Sequence, residues 1–258
     1  MAKIHPTAII SPDVFIDPDG STEIGPYTII EGNVTIHKGC RIGPYVHIQG
    51  YTEIGAGCRI FTGAIIGSMP QDLKYKGGKT YLKIGERNTI REFVTINTAT
   101  SEGESTIIGS NNLIMAYVHI AHNCIIGNSV IIANGGTLAG HVVIDDFAVI
   151  GGLVGIHQFC RVGRYSIIGG CSKITKDIVP FVIADGHPAV PHGINKIGLQ
   201  RKNFSPEKIA HIEEIYRILF RSGLNVSEAM VELEKIGRTE EVVCMIDFIK
   251  NSSRGIAR

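Results

Sequence analysis

Two histidines three apart, His119 and His122, stand in the apolar run VHIAHNCIIG at residues 118–127. His141 follows a glycine, Gly140, and His157 precedes Gln158. Imidazoles in such a run offer two chemistries. A neutral ring is a common zinc ligand. A ring with the ordinary pKa of about 6.5 also suits a general base at neutral pH. The choice depends on what positions these side chains.

A repeat positions them. From Ile24, stepping by six to Ile174 gives 26 slots, of which 23 are aliphatic and 21 are isoleucine. Ile4, Ile10 and Ile16 keep the same period in another phase. Six is not a helical period, and the run is far too long for one strand. It is the mark of a hexapeptide solenoid, a parallel β-helix. Two residues before each slot from Ile24 to Ile66 lies a small or modest side chain: Thr22, Thr28, Val34, Cys40, Val46, Thr52, Cys58, Ala64. Cys40, Cys58, Cys124 and Cys160 fall in that position and read as small buried hydrophobes rather than ligands. Glycine often follows the slot, as at Gly25, Gly109 and Gly127, and is expected at corners that need positive φ.

Three slots fail, at Asp72, Gly78 and Glu102. They lie in two polar excursions, 68–83 and 98–105, and long polar loops on a rigid scaffold are candidates for function. After Thr175 the repeat stops. Residues 177–193 are rich in proline and glycine and read as a linker. SPEKIAHIEEIYRILFRSG then has the marks of a helix: Ser205 as N-cap, Pro206 in the first turn, Gly223 at the end. Shorter helices are expected near 226–236 and 239–250. The chain is therefore expected to comprise a hexapeptide-repeat β-helix, 1–189, and an α-helical C-terminal domain, 190–258.

Composition narrows the partners. The net charge of +1 gives no bulk attraction to nucleic acid or membrane. No apolar run reaches the length of a transmembrane segment, the start lacks a signal-peptide core, and the six cysteines form no C-x-x-C pair. A cytoplasmic protein is expected.

A three-sided solenoid spends three hexapeptides on one coil, so residues eighteen apart stack about 4.8 Å apart. In the uninterrupted block 108–174 this places His122 beneath Gly140 and Gly140 beneath Gln158. His119, His141 and His157 flank the same strip. Four histidines on one edge point to a site, but zinc binding and base catalysis both remain open. Across the two loops the register is ambiguous.

PQDLKY (70–75), HIAHNC (119–124), LAGHV (138–142), GGLVGIHQF (151–159), VPFV (179–182) and INKIGLQRKNFS (194–205) are specific motifs. With IHPTAII near the start and SSRG near the end, they make the whole chain resemble the UDP-N-acetylglucosamine O-acyltransferases that begin lipid A synthesis. The resemblance implies a left-handed coil, against the usual crossover rule. It also implies a homotrimer with clefts between subunits, an (R)-3-hydroxyacyl-acyl carrier protein donor, and no metal or other cofactor. By resemblance His122 is the general base toward the sugar 3-hydroxyl, and the Gly140 N–H stabilises the oxyanion. His119, His141, His157 and Gln158 line the sugar and acyl pocket. Gln71, Asp72 and Lys74 contact substrate, with Asp72 meeting the acyl 3-hydroxyl. Asn195, Arg201 and Lys202 belong to the nucleotide-binding segment, where cations face the pyrophosphate. Gly170 leaves room for a long acyl chain. Arg161, Arg164 and Lys173 are candidate contacts for the acidic carrier protein.

Two residues depart from the family pattern. Well-known members follow the base with aspartate; here Asn123 follows it, and an uncharged amide should stabilise an imidazolium less. Ile197 stands where some members carry glutamate, which leaves a 3-hydroxyl or a 3-amino acceptor open. Rival readings on the same scaffold are a zinc enzyme of the γ-carbonic anhydrase type and an N-acyltransferase of the same pathway. A small-molecule acetyltransferase and a purely structural solenoid are the others. The zinc class uses histidines five apart, not three. The N-acyltransferase carries an extra N-terminal domain, and here the repeat begins at Ile4. The PQDLKY loop and helical cap disfavour the acetyltransferase, and a structural solenoid leaves the histidine strip unexplained.

Overall fold

The structure is a computed structural model that describes residues 2–258. Among those residues short strands form three sheets, of eleven, nine and eight strands. Each coil adds one strand to each sheet in turn, so pairing within the coils is parallel throughout. Every aliphatic slot from Ile24 to Ile174 is buried, and together they fill the prism. The small slots are buried beside them. There Thr28 donates its hydroxyl to the Gly43 carbonyl at 2.7 Å, and Cys124 its thiol to the Ala139 carbonyl at 3.2 Å. The small residue thus also satisfies a corner carbonyl of the next coil.

Of the glycines after the slots, Gly67 has the expected positive φ, but most serve another purpose. Gly109 and Gly127 are not in the left-handed region. A Cβ on Gly109 would lie 2.5 Å from the Gly127 carbonyl oxygen. Close stacking of backbone, not positive φ, requires glycine there. The left-handed residue comes three after the slot and is usually not glycine: Asn123, His141 and Phe159 all have φ near 60°.

The structure also settles the register across the excursions. Ile42 pairs with Ile60, eighteen residues on. Ile60 pairs with Ile90, thirty on, and Ile90 with Ile114, twenty-four on. The two excursions therefore add two hexapeptides and one. They are shorter than expected, because Tyr81–Ile84 and Ser105–Ile108 are strands of the third sheet. Both loops leave a strand of the second sheet, Ile65–Ser68 or Thr95–Asn97, and enter one of the third. The corner at 121–124 makes the same passage. Both loops and His122 therefore share one edge of the prism.

The stretch 177–193 is not a linker. Val182–Gly186 extends the first sheet beside Ile167–Ile168, and Ala189–Ile194 folds back on it as an antiparallel hairpin. Val182, Ala184 and Ala189 are buried, which explains the order of a segment that proline and glycine make look irregular. Residue 189, the expected domain limit, opens the second strand of this hairpin.

Four helices follow. α1 (Lys196–Arg201) was not anticipated; Asn195 caps it by accepting from the Gly198 N–H. α2 (Pro206–Arg221) is capped by Ser205 and buries Ile209, Ile212, Ile215, Tyr216 and Leu219. α3 (Val226–Lys235) opens with a capping box of Asn225 and Glu228, and α4 (Glu240–Lys250) is capped by Thr239. Arg161 lies 4.6 Å over the Phe248 ring, and Arg164 reaches Glu240 at 3.8 Å, tying α4 to the third sheet. Buried Asp177 accepts from the Arg161 main-chain N–H at 2.8 Å and the Ser252 hydroxyl at 2.6 Å. It fastens the end of the chain to the last coil.

Candidate active site

His122 occupies the corner after the strand His119–Ile120. Ile120 points inward, and the chain then turns, leaving the His122 side chain at the edge but 12% exposed. Its ring lies against Gly140, where a Cβ would stand 2.3 Å from Cε1 and 2.5 Å from Nε2. Only glycine leaves that space. Among the described residues no main-chain carbonyl accepts from the Gly140 N–H, while its carbonyl accepts from Phe159.

The tautomer of His122 follows from its neighbour. Asn123 Oδ1 accepts from the Thr100 main-chain N–H at 3.1 Å and the Thr100 hydroxyl at 3.0 Å. Asn123 Nδ2 donates to Glu104 Oε2 at 2.7 Å. A main-chain N–H can only donate, so the amide has one orientation. Nδ1 of His122 is 3.0 Å from the same Oδ1 and must carry the proton. The lone pair is thus on Nε2. Asp72 Oδ2, from the first loop, is 3.6 Å from Nε2, too far for a direct hydrogen bond.

His119 and His141 flank this ring. His119 Nδ1 is 2.7 Å from the Thr95 hydroxyl. His141 meets His122 edge to face, with centroids 5.2 Å apart, and stacks on Phe159 at 4.7 Å. Burial first, then the positive potential of His122, hold both imidazoles below their usual range, while Glu104 and Asp72 oppose this at His141. Both neighbours therefore favour the neutral form. Among the described residues no three His, Cys, Asp or Glu side chains are grouped to hold a metal.

The expected site residues separate into three places. His119, His122, Gly140, His141 and Asp72 come together. Gln71 and Lys74 lie exposed on the same loop, where the Lys74 main-chain N–H donates to Asp72 Oδ1 at 2.9 Å. Gln158 is one coil beyond Gly140, and His157 Nδ1 contacts the Gln158 carbonyl at 3.2 Å; both side chains are exposed. Gly170 lies on a different corner, between the first and second sheets. Arg201 and Lys202 border a cavity of about 790 Å³ over the first sheet, lined also by Ile131, Phe147, Val149 and Ile197. Lys202 lies 4.6 Å over Phe147. Asn195 is buried there, its amide spent on the Tyr165 carbonyl and the cap of α1. The first sheet is the face opposite the His122 corner. Glu104 and Thr100 were not among the expected site residues; the polar second loop was the only signal for them.

Comparison with known proteins agrees over the whole chain. A model of the bacterial transferase hexapeptide matches residues 20–50, 33–68 and 105–140, and one described as UDP-N-acetylglucosamine O-acyltransferase, domain 2, matches 177–257. The acyl-[acyl-carrier-protein]–UDP-N-acetylglucosamine O-acyltransferase of Paraburkholderia phymatum is 47% identical, with all of both chains covered. The chain belongs to the UDP-N-acetylglucosamine O-acyltransferase family. The protein of the same name from Thiobacillus denitrificans is 44% identical, again over all of both chains. The structure of the UDP-N-acetylglucosamine O-acyltransferase of Moraxella catarrhalis superimposes with a TM-score of 0.95 at 44% identity, covering 99% of each chain. The chain is a left-handed parallel β-helix with a small helical C-terminal region. Among the described residues no helix is long and apolar enough to cross a membrane.

Proposed function

We propose that the protein transfers an (R)-3-hydroxyacyl group from acyl carrier protein to the 3-hydroxyl of UDP-N-acetylglucosamine in the cytoplasm, the first step of lipid A biosynthesis. The observation that carries the mechanism is the fixed tautomer of His122. Nδ1–H is held by Asn123, and the Nε2 lone pair lies beside Gly140 and Asp72. In the proposed reaction Nε2 removes the proton of the sugar 3-hydroxyl as its oxygen attacks the thioester carbonyl. The Gly140 N–H donates to the resulting oxyanion, a contact typically worth about 2.7–4 kcal/mol. Collapse of the tetrahedral intermediate breaks the C–S bond, and the carrier thiolate takes the proton from the imidazolium. Asp72 receives the acyl 3-hydroxyl, and His119 and His141 wall the reacting centre.

The nucleotide segment is on the far face of the same prism. A cleft joining it to His122 therefore needs a second copy of the chain, and we assign a homotrimer in which each corner meets a neighbour's first sheet. Gly170 would then limit the acyl chain from a neighbouring wall. In this reading residues 1–189 carry the reacting centre, and 190–258 carry Asn195, Arg201 and Lys202 toward the pyrophosphate. Arg161 and Arg164 are already engaged with Asp145, Phe248 and Glu240. Lys173, exposed on its strand, is the freer of the three toward a carrier protein.

The test is acyl transfer from 3-hydroxyacyl-carrier protein to UDP-N-acetylglucosamine by wild type and His122→Ala. A fall of about 100-fold or more is expected for loss of a general base. A wild type that ignores this acceptor but acylates its 3-amino counterpart would replace O-acylation with N-acylation.

A further inference from the structure

We infer that Glu104 is a positioning residue for the transfer, acting on His122 through the side chain of Asn123. The inference rests on the reading of His122 as the base. Asn123 Oδ1 is shared by three donors, the Thr100 N–H, the Thr100 hydroxyl and His122 Nδ1–H. An amide oxygen so used is a weak anchor for an imidazolium, because it carries no formal charge. The opposite end of the same amide donates to a carboxylate at 2.7 Å. A negative charge at Nδ2 shifts electron density toward Oδ1 and strengthens it as an acceptor. Glu104, Asn123 and His122 thus form a chain in which the charge sits one residue further from the ring than in a direct carboxylate–imidazole pair.

Glu104 is exposed, and an exposed contact of this kind can be worth nothing. Its backbone says otherwise. The Glu104 N–H donates to the Ser101 carbonyl at 3.0 Å, and its carbonyl accepts from Tyr81 at 2.9 Å. The strand Ser105–Ile108 begins at the next residue, and buried Thr106 accepts from the Asn123 main-chain N–H at 2.8 Å. The carboxylate and the corner that it faces are therefore fastened to each other by two contacts. The other titratable groups around His122 are His119, His141 and Asp72. None of them touches the Asn123 amide in this structure.

The experiment compares wild type, Glu104→Gln, Asn123→Asp/Glu104→Gln and His122→Ala in the transfer assay across pH. Glu104→Gln keeps an oxygen for Asn123 Nδ2 and removes only the charge. It should lower kcat about fivefold at unchanged KM, the scale separating charged from neutral hydrogen bonds. The acid limb of its rate profile should move to lower pH, since the imidazolium loses support. The double variant puts the carboxylate at 123 and the amide donor at 104, and should recover wild-type kcat to within about twofold, because the oxygen at 123 still accepts from Thr100 and His122 and only the hydrogen bond between 104 and 123 reverses. Wild-type kcat and pH profile in Glu104→Gln, beside an inactive His122→Ala, would overturn the role of Glu104 alone. So would a double variant no better than Glu104→Gln. An active His122→Ala would overturn the base assignment and this inference with it.

Discussion

Replacing Gly140 by alanine should separate the position of the His122 ring from every other property of the corner. The glycine is not in the left-handed region, so alanine brings no backbone strain. It keeps the N–H assigned to the oxyanion. What it adds is a methyl group 2.3 Å from Cε1 and 2.5 Å from Nε2. Ordinary contact begins near 3.4 Å, so the ring must retreat by about 1 Å. His141 blocks one side and the Asn123 contact holds Nδ1, which leaves rotation toward Asp72. A misplacement of about 1 Å at a reacting group can cost about 100-fold, or about 2.7 kcal/mol of transition-state stabilisation. We expect kcat for acyl transfer to fall by that order, with the melting temperature within a few degrees of wild type. Gly155→Ala is the control: nothing lies within 4 Å of its Cβ and its φ is not positive. It should be fully active. If Gly140→Ala retains kcat within threefold of wild type, contact between glycine and ring does not set the geometry, and the reasoning fails.

Two further outcomes follow from burial. His119 and His141 are held below their usual range mainly by burial, so near and below pH 6.5 the unfolded chain binds protons that the folded chain resists. Their contribution to stability is complete above about pH 6.5 and is lost as pH falls. Thermal melts from pH 7.5 to 5.5 should show a decline that His119→Gln/His141→Gln flattens; an equal slope in both proteins would contradict this. Burial also pushes the thiols of Cys124 and Cys160 up, to about 12 and about 11. A disulfide reagent at pH 8 should modify exposed Cys171 in the native protein and reach Cys40, Cys58, Cys124 and Cys160 only in guanidinium. Rapid native reaction of those four would refute their placement in the core.

The coil was legible because its rule is strict: one buried aliphatic residue every six, on strands of only two to four residues. The contact of His122 with Gly140 was legible for the same reason, since no loop interrupts residues 108–174. The arrival of Asp72 and Glu104 at that corner was not. Their positions depend on offsets of thirty and twenty-four residues, and nothing in a polar loop states how many turns it replaces. The hairpin at 182–194 was hidden because Pro180, Pro188 and Pro191 imitate a linker, although the strands around them pack against the first sheet. Asn195 was placed by resemblance, and its side chain serves a helix cap too short for periodicity to reveal. The glycine pattern was read correctly as a corner signal and assigned to the wrong cause.

The unequal offsets bear on how such a protein can change. Successive coils are joined after eighteen, twenty, twenty-four or thirty residues, and yet the aliphatic residues of the slots from Ile24 to Ile174 stay in their buried column. Lengthening a corner is opposed only by loop-closure entropy, about 0.6 kcal/mol for each doubling. One residue added on a face would turn an inward side chain outward and break the pairing with both neighbours. Heritable variation in length is thus channelled to the edges of the prism. The edge bearing His122 has already taken up two such insertions, and each brings a carboxylate toward it. New substrate contacts can be tried there by insertion and deletion while the core that holds the base stays untouched.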